Sequence, residues 1–424
     1  MTTSLLRLLA AVLALGIWTS EAWAQSGAAW RRQLRQDSVL GPVLRQPAQH
    51  RVQILYTRIR RDAQGRPHFR SFRYRVRPRE YFYPASAIKL PAAVVALEKL
   101  RGLSQQVPGL TPESPLRIDS AAWGQTRVVR DTSSATGRAS VAQYVRKLLL
   151  VSDNDAYNRL YEFVGPQDLQ VSLRRCGLRH TVLRHRLSVG DQDSTARRTN
   201  PVAFYADTAL TRPLYVQPAA TFTGSWPRRR LRGLGIGTAY MKGEQRINEP
   251  LDFSQKNVTS LPDLQRVLRA VLFPESLPPR RRFQLAPADY TLLRDYLHRL
   301  PRQSRHPRYS PQEFPDNYAK FLLVGSAQPA PLPAGVRIYN KIGQAYGFLI
   351  DNAYVADSAR RVEFLLSAVV YVNADGVLND DQYEYNTVGL PFLRRLGQLV
   401  YEAELRRAGR FVAQKPVPQR AAGE

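Results

Sequence analysis

Residues 83–100 read YPASAIKLPAAVVALEKL, and the sequence pattern changes at Ser86. Earlier in the chain, over residues 52–76, apolar residues alternate with polar ones, as they do in half-buried strands. After Ser86 the apolar residues recur with the 3.6-residue period of a helix. They are Leu90, Val94, Val95, Leu97 and Leu100. Because Pro91 is tolerated in a helix only near its first turn, the stretch predicts a helix that starts at Ser86 and follows a sheet.

On the N-terminal side of this helix the chain predicts an antiparallel hairpin. Apolar residues alternate over residues 52–56 and again over 72–76, and the polar residues 62–65 lie between the two runs. Alternation of this kind gives one buried face and one solvated face.

On the C-terminal side, helices dominate the middle of the chain and strands return near its end. Helical periodicity covers residues 140–150, 155–164, 166–175, 261–272, 286–299 and 387–406. Strands are predicted over 341–355, around a glycine break, and over 362–372, whereas 213–260 and 302–335 have the composition of loops. The chain ends would then form one antiparallel sheet flanked by helices, and the middle a mostly helical lobe. This is an α/β (α+β) architecture, with the active site expected in the cleft between the lobes.

The first residues have the composition of a secretory signal peptide. Arg7 precedes an apolar run over residues 8–18, and the small-residue pattern of a cleavage site ends at Ala24. Residues 1–24 therefore predict an exported protein, periplasmic or extracellular, with no transmembrane segment after cleavage. An uncleaved anchor is the alternative.

The remaining chain divides into a linker, one domain and a tail. Residues 25–49 are polar and basic without periodicity and predict a linker; residues 407–424 predict a basic tail. Residues 50–406 predict one domain, with an α/β lobe over about 50–85 and 336–406 and a helical lobe over about 86–335.

The net charge of +28 comes mainly from 54 arginines, beside only eight lysines. One interpretation is a solvated basic surface, and another is attraction to anionic cell-envelope polymers. Nucleic-acid binding is not favoured, because the arginines are spread along a chain that we expect to be exported. Cys176 is the only cysteine, which excludes an internal disulfide.

The first candidate motif is Ser86-Ala-Ile-Lys89. Residues three apart share a helix face, so the hydroxyl and the amine can meet in the first turn. A buried lysine with a lowered pKa can take the serine proton. The N–H groups at the helix start can stabilise a developing oxyanion. The pattern predicts Ser86 as a nucleophile and Lys89 as its base.

Two further motifs follow in order. In Ser152-Asp153-Asn154, which comes after a helix, the hydroxyl can relay a proton to a leaving nitrogen and the amide can hold a substrate carbonyl. We expect Asp153 to fix the loop. In Lys341-Ile342-Gly343, the lysine adds positive charge and the glycine admits substrate backbone close to a strand. The N–H of the next residue, Gln344, is a candidate second oxyanion donor.

A purely structural interpretation stands beside this one. Ser86 can be an N-cap, Lys89 a first-turn surface residue and Lys341 a charge at a strand edge. The six histidines show no ligand spacing, and the acidic residues between Asp375 and Glu384 lack the spacing of a calcium loop. No metal and no cofactor are therefore predicted.

The three motifs together resemble S-x-x-K, S-D-N and K-T-G of the penicillin-recognising serine enzymes. Tyr83-Pro-Ala-Ser86-Ala-Ile-Lys89 is similar to the same region of class A β-lactamases, and the resemblance covers about residues 50–406. It implies a β-lactamase/transpeptidase-like fold, a small-molecule amide or peptide substrate, acylation of Ser86 and hydrolysis by water. A penicillin-binding, peptidase-like or esterase-like relative, or a non-catalytic envelope-binding protein on the same fold, remains an alternative.

The chain departs from the family pattern in two places that bear on activity. Ile342 stands where the family has a hydroxyl that helps to bind the β-lactam carboxylate. The E-x-x-L-N glutamate that activates the deacylating water is missing, and Glu162 comes too early to replace it. Asp191 or Asp193 is a candidate for that role, although a turn role suits both.

Overall fold

A computed structural model describes residues 27–190 and 193–413 of the chain. Its helices are α1 (27–36), α2 (Leu40–Arg45), α3 (Lys89–Ser104), α4 (Val141–Leu150), α5 (Asn154–Val164), α6 (Pro166–Arg175), α7 (Asp193–Ala196), α8 (Leu261–Leu272), α9 (Pro287–His298) and α10 (Leu390–Ala413). Its strands are β1 (Gln53–Arg61), β2 (Pro67–Tyr74), β3 (Leu116–Ile118), β4 (Val202–Tyr205), β5 (Pro213–Gln217), β6 (Gly235–Ile236), β7 (Ala239–Lys242), β8 (Gln245–Ile247), β9 (Leu251–Asp252), β10 (Val336–Ala345), β11 (Phe348–Asp357), β12 (Val362–Tyr371) and β13 (Val377–Leu378).

The main sheet joins strands from both ends of the chain. It has five strands in the order β10-β11-β12-β1-β2, and every neighbouring pair is antiparallel. The pairing of β1 with β12 sets Gln53 opposite Val369. The antiparallel sheet flanked by helices, together with a mostly helical middle, confirms the predicted fold class. Strand β10 forms one edge of the sheet, so its backbone is available beside the helical lobe.

Hydrophobic clusters lie on both faces of this sheet. On one face α10 and residues 319–324 pack on alternate strand positions such as Ile54 and Ala368. On the other face the helices of the middle segment form a larger core, which the strands reach through Ile59 and Leu365. Because successive side chains of a strand point to opposite faces, β10 presents Lys341 toward the helical lobe and Ile342 toward α10.

The structure corrects the linker predicted over residues 25–49. Most of the described part of that range is helical, in α1 and α2, and Trp30, Leu34 and Leu44 are buried against the sheet. The Asp37 carboxylate also pairs with Arg395 of α10 at 2.7 Å. The sequence analysis missed this segment because its few apolar residues form one narrow stripe among arginines.

The C-terminal prediction also needs adjustment. Residues 407–413, expected to begin a basic tail, continue helix α10. The predicted signal peptide over 1–24 and the rest of the tail lie outside the described residues. Within those residues, no helix combines the length and the apolar character that a membrane span requires.

Candidate active site

Ser86 lies in a short 3-10 turn, Ala85–Ile88, that leads directly into α3. Its side chain is partly exposed, whereas Ala85, Ala87 and Lys89 around it are buried. Among the described residues the Ser86 hydroxyl makes no hydrogen bond, so its oxygen is accessible to a substrate. The helix predicted from Ser86 onward is therefore present, with Lys89 as the first residue of its α-helical part.

Strand β10 lies against this turn at Gly343. A Cβ atom at position 343 would stand 2.5 Å from the carbonyl oxygen of Pro84 and 3.0 Å from the backbone nitrogen of Ala87. Only a residue without a side chain allows such an approach without displacement. Gly343 therefore sets the distance between the edge strand and the turn that carries Ser86.

We expect Gly343→Ala to separate these two elements. The added methyl group must push the Ser86 turn or β10 away, because its nearest neighbours are backbone atoms. Overpacking of this kind costs about 1–3 kcal/mol of stability, and a small misplacement near the chemistry costs about 10²-fold in rate. Chemical denaturation and the acylation rate of Ser86 measure the two effects. Gly409→Ala, at an exposed position of α10 where the backbone has no positive φ and the Cβ meets open space, is the control for glycine replacement remote from the site.

The amine of Lys89 is buried and satisfied by the Ser152 to Asn154 loop. Lys89 Nζ donates to the carbonyl oxygen of Ser152 and to Asn154 Oδ1, the latter at 2.5 Å, and lies 3.3 Å from Ser152 Oγ. Burial lowers the pKa of Lys89 to about 7, while the charge of Asp153 opposes that shift. A neutral amine has two N–H groups, which the two carbonyl oxygens can accept, and one lone pair that remains for a hydroxyl proton.

Lys341 reaches the same hydroxyl from the other side of the cleft. Its Nζ lies 2.8 Å from Ser152 Oγ and 3.0 Å from the carbonyl oxygen of Ile342. Burial, followed by the nearby Lys89 ammonium, holds the pKa of Lys341 well below its usual range, and Asp351 opposes this shift. The Ser152 hydroxyl thus contacts two lysine nitrogens, an arrangement that suits the transfer of a proton.

The Ser152 to Asn154 loop is held by its own residues. Ser152 has a positive φ of 61°, and the Asp153 carboxylate caps α5 by accepting from the N–H of Ala156 at 2.8 Å. Asn154 Nδ2 donates to Ser188 Oγ at 2.9 Å. The capping contact gives Asp153 the position expected of a residue that fixes the loop.

Most of the predicted candidates lie close together. Lys89, Ser152, Asn154 and Lys341 form one hydrogen-bonded cluster, with Gly343 against the Ser86 turn. Gln344, the next residue of β10, is exposed at the edge of the sheet.

Ile342 points away from the cleft. Its side chain is buried in the cluster between the sheet and α10. An isoleucine there packs in a core and donates nothing to a substrate, so the position offers no replacement for the hydroxyl of the family motif.

The structure describes the three acids considered for deacylation to different extents. Asp191 lies outside the described residues, and only the backbone of Asp193, the first residue of α7, is described. Glu162 is buried and pairs with Arg159 at 3.1 Å and with Arg186 at 2.8 Å, so it is committed to a structural role.

The sequence analysis missed a buried polar pair behind Lys341. Lys320 Nζ donates to the carbonyl oxygens of Leu297 (2.8 Å) and Ile338 (2.9 Å) and to Asn340 Oδ1 (2.6 Å). Asn340 Nδ2 donates to Asp351 Oδ1 at 2.8 Å, which links the lysine to the acid. Lys320 belongs to the segment 302–335 that the sequence predicted as loop. A lysine directly before the apolar run FLLV, in a chain with eight lysines, was the available signal.

Metal ligation has no support in the part of the chain that the structure describes. Its histidine, cysteine, aspartate and glutamate side chains form no group of three or more that could hold a metal ion.

Comparisons with known proteins relate the chain to one family. The model of a family described as the beta-lactamase enzyme family matches residues 69–403. Among solved structures, a beta-lactamase from Desulfarculus baarsii is 17% identical with a TM-score of 0.46, over 88% of this chain and 98% of that one. A beta lactamase from Burkholderia vietnamiensis is 14% identical with a TM-score of 0.47, over 87% of this chain and 98% of that one. No match was found among curated proteins.

Proposed function

Because the chain belongs to the beta-lactamase enzyme family, we propose that it is a serine hydrolase that is acylated on Ser86. The substrate is an amide, either a β-lactam or an envelope peptide, and water then hydrolyses the acyl-enzyme. The observation that carries the proposal is the position of the Ser152 hydroxyl between Lys89 and Lys341, 2.8 Å from the latter. We include export in the proposal, with residues 1–24 as the signal peptide.

In the acylation step Lys89 acts as the base. With a pKa of about 7 for Lys89, roughly half of the molecules hold the neutral amine at pH 7. The amine takes the Ser86 proton while the serine oxygen bonds to the substrate carbonyl carbon. The carbonyl oxygen becomes an oxyanion, and the N–H groups of Ser86 and Gln344 are the proposed donors to it.

In the collapse step Ser152 delivers the proton. The C–N bond breaks and its electron pair stays on the leaving nitrogen, which takes a proton from the Ser152 hydroxyl. That hydroxyl is resupplied by the protonated Lys89, which it lies near. Lys341 donates to the same oxygen and stabilises any negative charge on it.

Hydrolysis of the acyl-enzyme needs a water and a base. Because the glutamate of class A enzymes has no counterpart in the sequence and Glu162 is bound by two arginines, we expect slow deacylation. Asp191 and Asp193 are the proposed candidates for the base.

Intact-mass measurement of the protein over time, with a penicillin and a chromogenic cephalosporin, tests the proposal. A transient adduct on Ser86 with release of product is the result of a β-lactamase. The absence of any adduct with these compounds and with a general serine-reactive probe would contradict the proposed function. When the chain is produced with residues 1–24, the mass of the unreacted protein shows where the mature chain begins, and a start at Gln25 is the result expected for export.

A second candidate function is that of a penicillin-binding, peptidase-like or esterase-like enzyme. The buried Ile342, which offers no hydroxyl to a β-lactam carboxylate, favours it. A penicillin-binding, peptidase-like enzyme gives a stable adduct with penicillin in the mass experiment. An enzyme whose substrate is not a β-lactam gives no adduct with the β-lactams, but its Ser86 is labelled by the general serine-reactive probe.

A further inference from the structure

A polar groove of about 320 Å³ adjoins the Ser152 to Asn154 loop. The segment 127–132 forms one wall, and Tyr144, Lys147 and Asp155 form the other. Asp155 directly follows Asn154, and Lys147 Nζ lies 3.9 Å from the carboxylate of Asp153. The groove therefore adjoins Asn154, the residue proposed to hold the substrate carbonyl.

The two carboxylates of the groove are already occupied by protein donors. Asp131 Oδ1 accepts from the N–H and the hydroxyl of Ser133, at 3.0 and 2.5 Å, and Asp131 Oδ2 pairs with Lys147 at 3.5 Å. Asp155 pairs with Arg159 Nε at 3.1 Å. Each of these acids therefore has a cation of the protein beside it.

Donors, in contrast, remain unused in the groove. The Tyr144 side chain is 2% exposed, and its hydroxyl is buried without a hydrogen-bond partner among the described residues. The Arg130 guanidinium is exposed and forms no hydrogen bond or ion pair within the described ranges 27–190 and 193–413. Arg127 uses its Nε on Asp119 and keeps its other N–H groups. A buried hydroxyl without a partner has lost its hydrogen bonds to water, and an acceptor group of a ligand would restore one.

We propose that this groove is an anion subsite of the active site, which selects amide substrates whose acyl substituent carries a carboxylate. Arg130 and Tyr144 donate to the carboxylate, and Arg127 and Lys147 add positive charge around it. The assignment rests on the proposed function, because it takes Ser86 as the acylated residue and Asn154 as the group that orients the acyl part. A guanidinium and a phenol both donate to a carboxylate in charge-assisted hydrogen bonds.

Two penicillins that differ only at this substituent test the subsite. Benzylpenicillin is neutral there, and its α-carboxy derivative carries the additional carboxylate. Binding is measured by calorimetry on the Ser86→Ala protein, where no acylation occurs. We expect the carboxylated compound to bind about tenfold more tightly, because its carboxylate gains charge-assisted hydrogen bonds from the groove. Arg130→Gln and Tyr144→Phe, each added to Ser86→Ala, should bring the ratio of the two dissociation constants toward one.

Matched controls separate this effect from changes in total charge or packing. Arg280→Gln removes one exposed arginine outside the groove, and Ser304→Ala removes another buried hydroxyl that has no hydrogen-bond partner among the described residues and does not line the groove. Both should leave the ratio unchanged. Equal binding of the two penicillins, or binding of neither, would overturn the subsite.

The outcome for the subsite is distinguishable from that for the proposed function. Acylation of the wild-type protein by both penicillins at the same rate, with equal binding to Ser86→Ala, would leave the hydrolase intact and reject the subsite. A preference for the carboxylated compound that depends on Arg130, in a protein whose Ser86 reacts with no acylating agent, would support the subsite and reject the hydrolase.

Discussion

Ser86→Ala is expected to abolish acyl-enzyme formation and to lower turnover about 10⁴-fold or more. The reason is that no other nucleophile replaces a serine that forms a covalent intermediate, and losses of this size follow removal of the nucleophile in serine hydrolases. Intact mass after incubation with a penicillin measures the adduct, and hydrolysis of a chromogenic cephalosporin measures turnover. The fold should persist, because the Ser86 hydroxyl makes no hydrogen bond among the described residues.

The control for Ser86→Ala is Ser358→Ala, which removes an exposed hydroxyl in the turn between β11 and β12 and should leave both measurements unchanged. An adduct that survives in the Ser86→Ala protein, mapped by peptide digestion to another residue, would show that Ser86 is not the nucleophile.

Lys89→Met is expected to remove catalysis while it stabilises the protein near neutral pH. General base catalysis contributes about 10²–10⁴-fold, so the acylation rate should fall by about that factor. In the wild-type protein the same rate should rise with pH through about 7, because the pKa of Lys89 lies there and only the neutral amine accepts a proton. Lys99→Met, on the same helix, should keep the wild-type pH profile.

The stability effect of Lys89→Met follows from the same pKa. In the unfolded chain the lysine titrates near its ordinary value, so between about pH 7 and 10.5 the unfolded state binds more protons than the folded state. The free energy of unfolding therefore rises with pH in this window, by up to about 1.4 kcal/mol per pH unit for one group. Lys89→Met should be more stable than wild type at pH 7, with a smaller difference at pH 9. A difference independent of pH would contradict the lowered pKa of the buried Lys89.

The sequence predicted the elements whose signals are local. Helix α8 has the predicted bounds, because Ser260 caps it and its apolar residues follow one period. Ser140 caps α4 in the same way, by accepting from the N–H of Gln143. The order of the three motifs likewise predicted that Lys89, Ser152 and Lys341 lie close together, since each motif carries its own helix, loop or strand setting.

The rest depends on contacts between distant segments, which no local pattern encodes. Whether Ile342 faces the cleft or the core is decided by what packs on β10. Asn340 links Lys320 to Asp351 by hydrogen bonds. The local sequence around either residue does not indicate that they lie close together. Only the three-dimensional structure shows that the buried Tyr144 hydroxyl has no hydrogen-bond partner among the described residues.

The joining of both chain ends in one sheet has a consequence for the rate at which the protein folds. His50 bonds to the carbonyl of Tyr371 over a separation of 321 residues, and Ser152 meets Lys341 over 189. Such pairings raise the contact order. Closing these long loops costs entropy before the stabilising contacts form, and this slows folding. The helices of the middle segment can pack on one another early, because their contacts are local. The catalytic site forms only when β10, which carries Lys341 and Gly343, joins the sheet. Before β12 pairs with β1, the edge of β1 that β12 covers in the folded protein is exposed, and exposed strand edges favour aggregation.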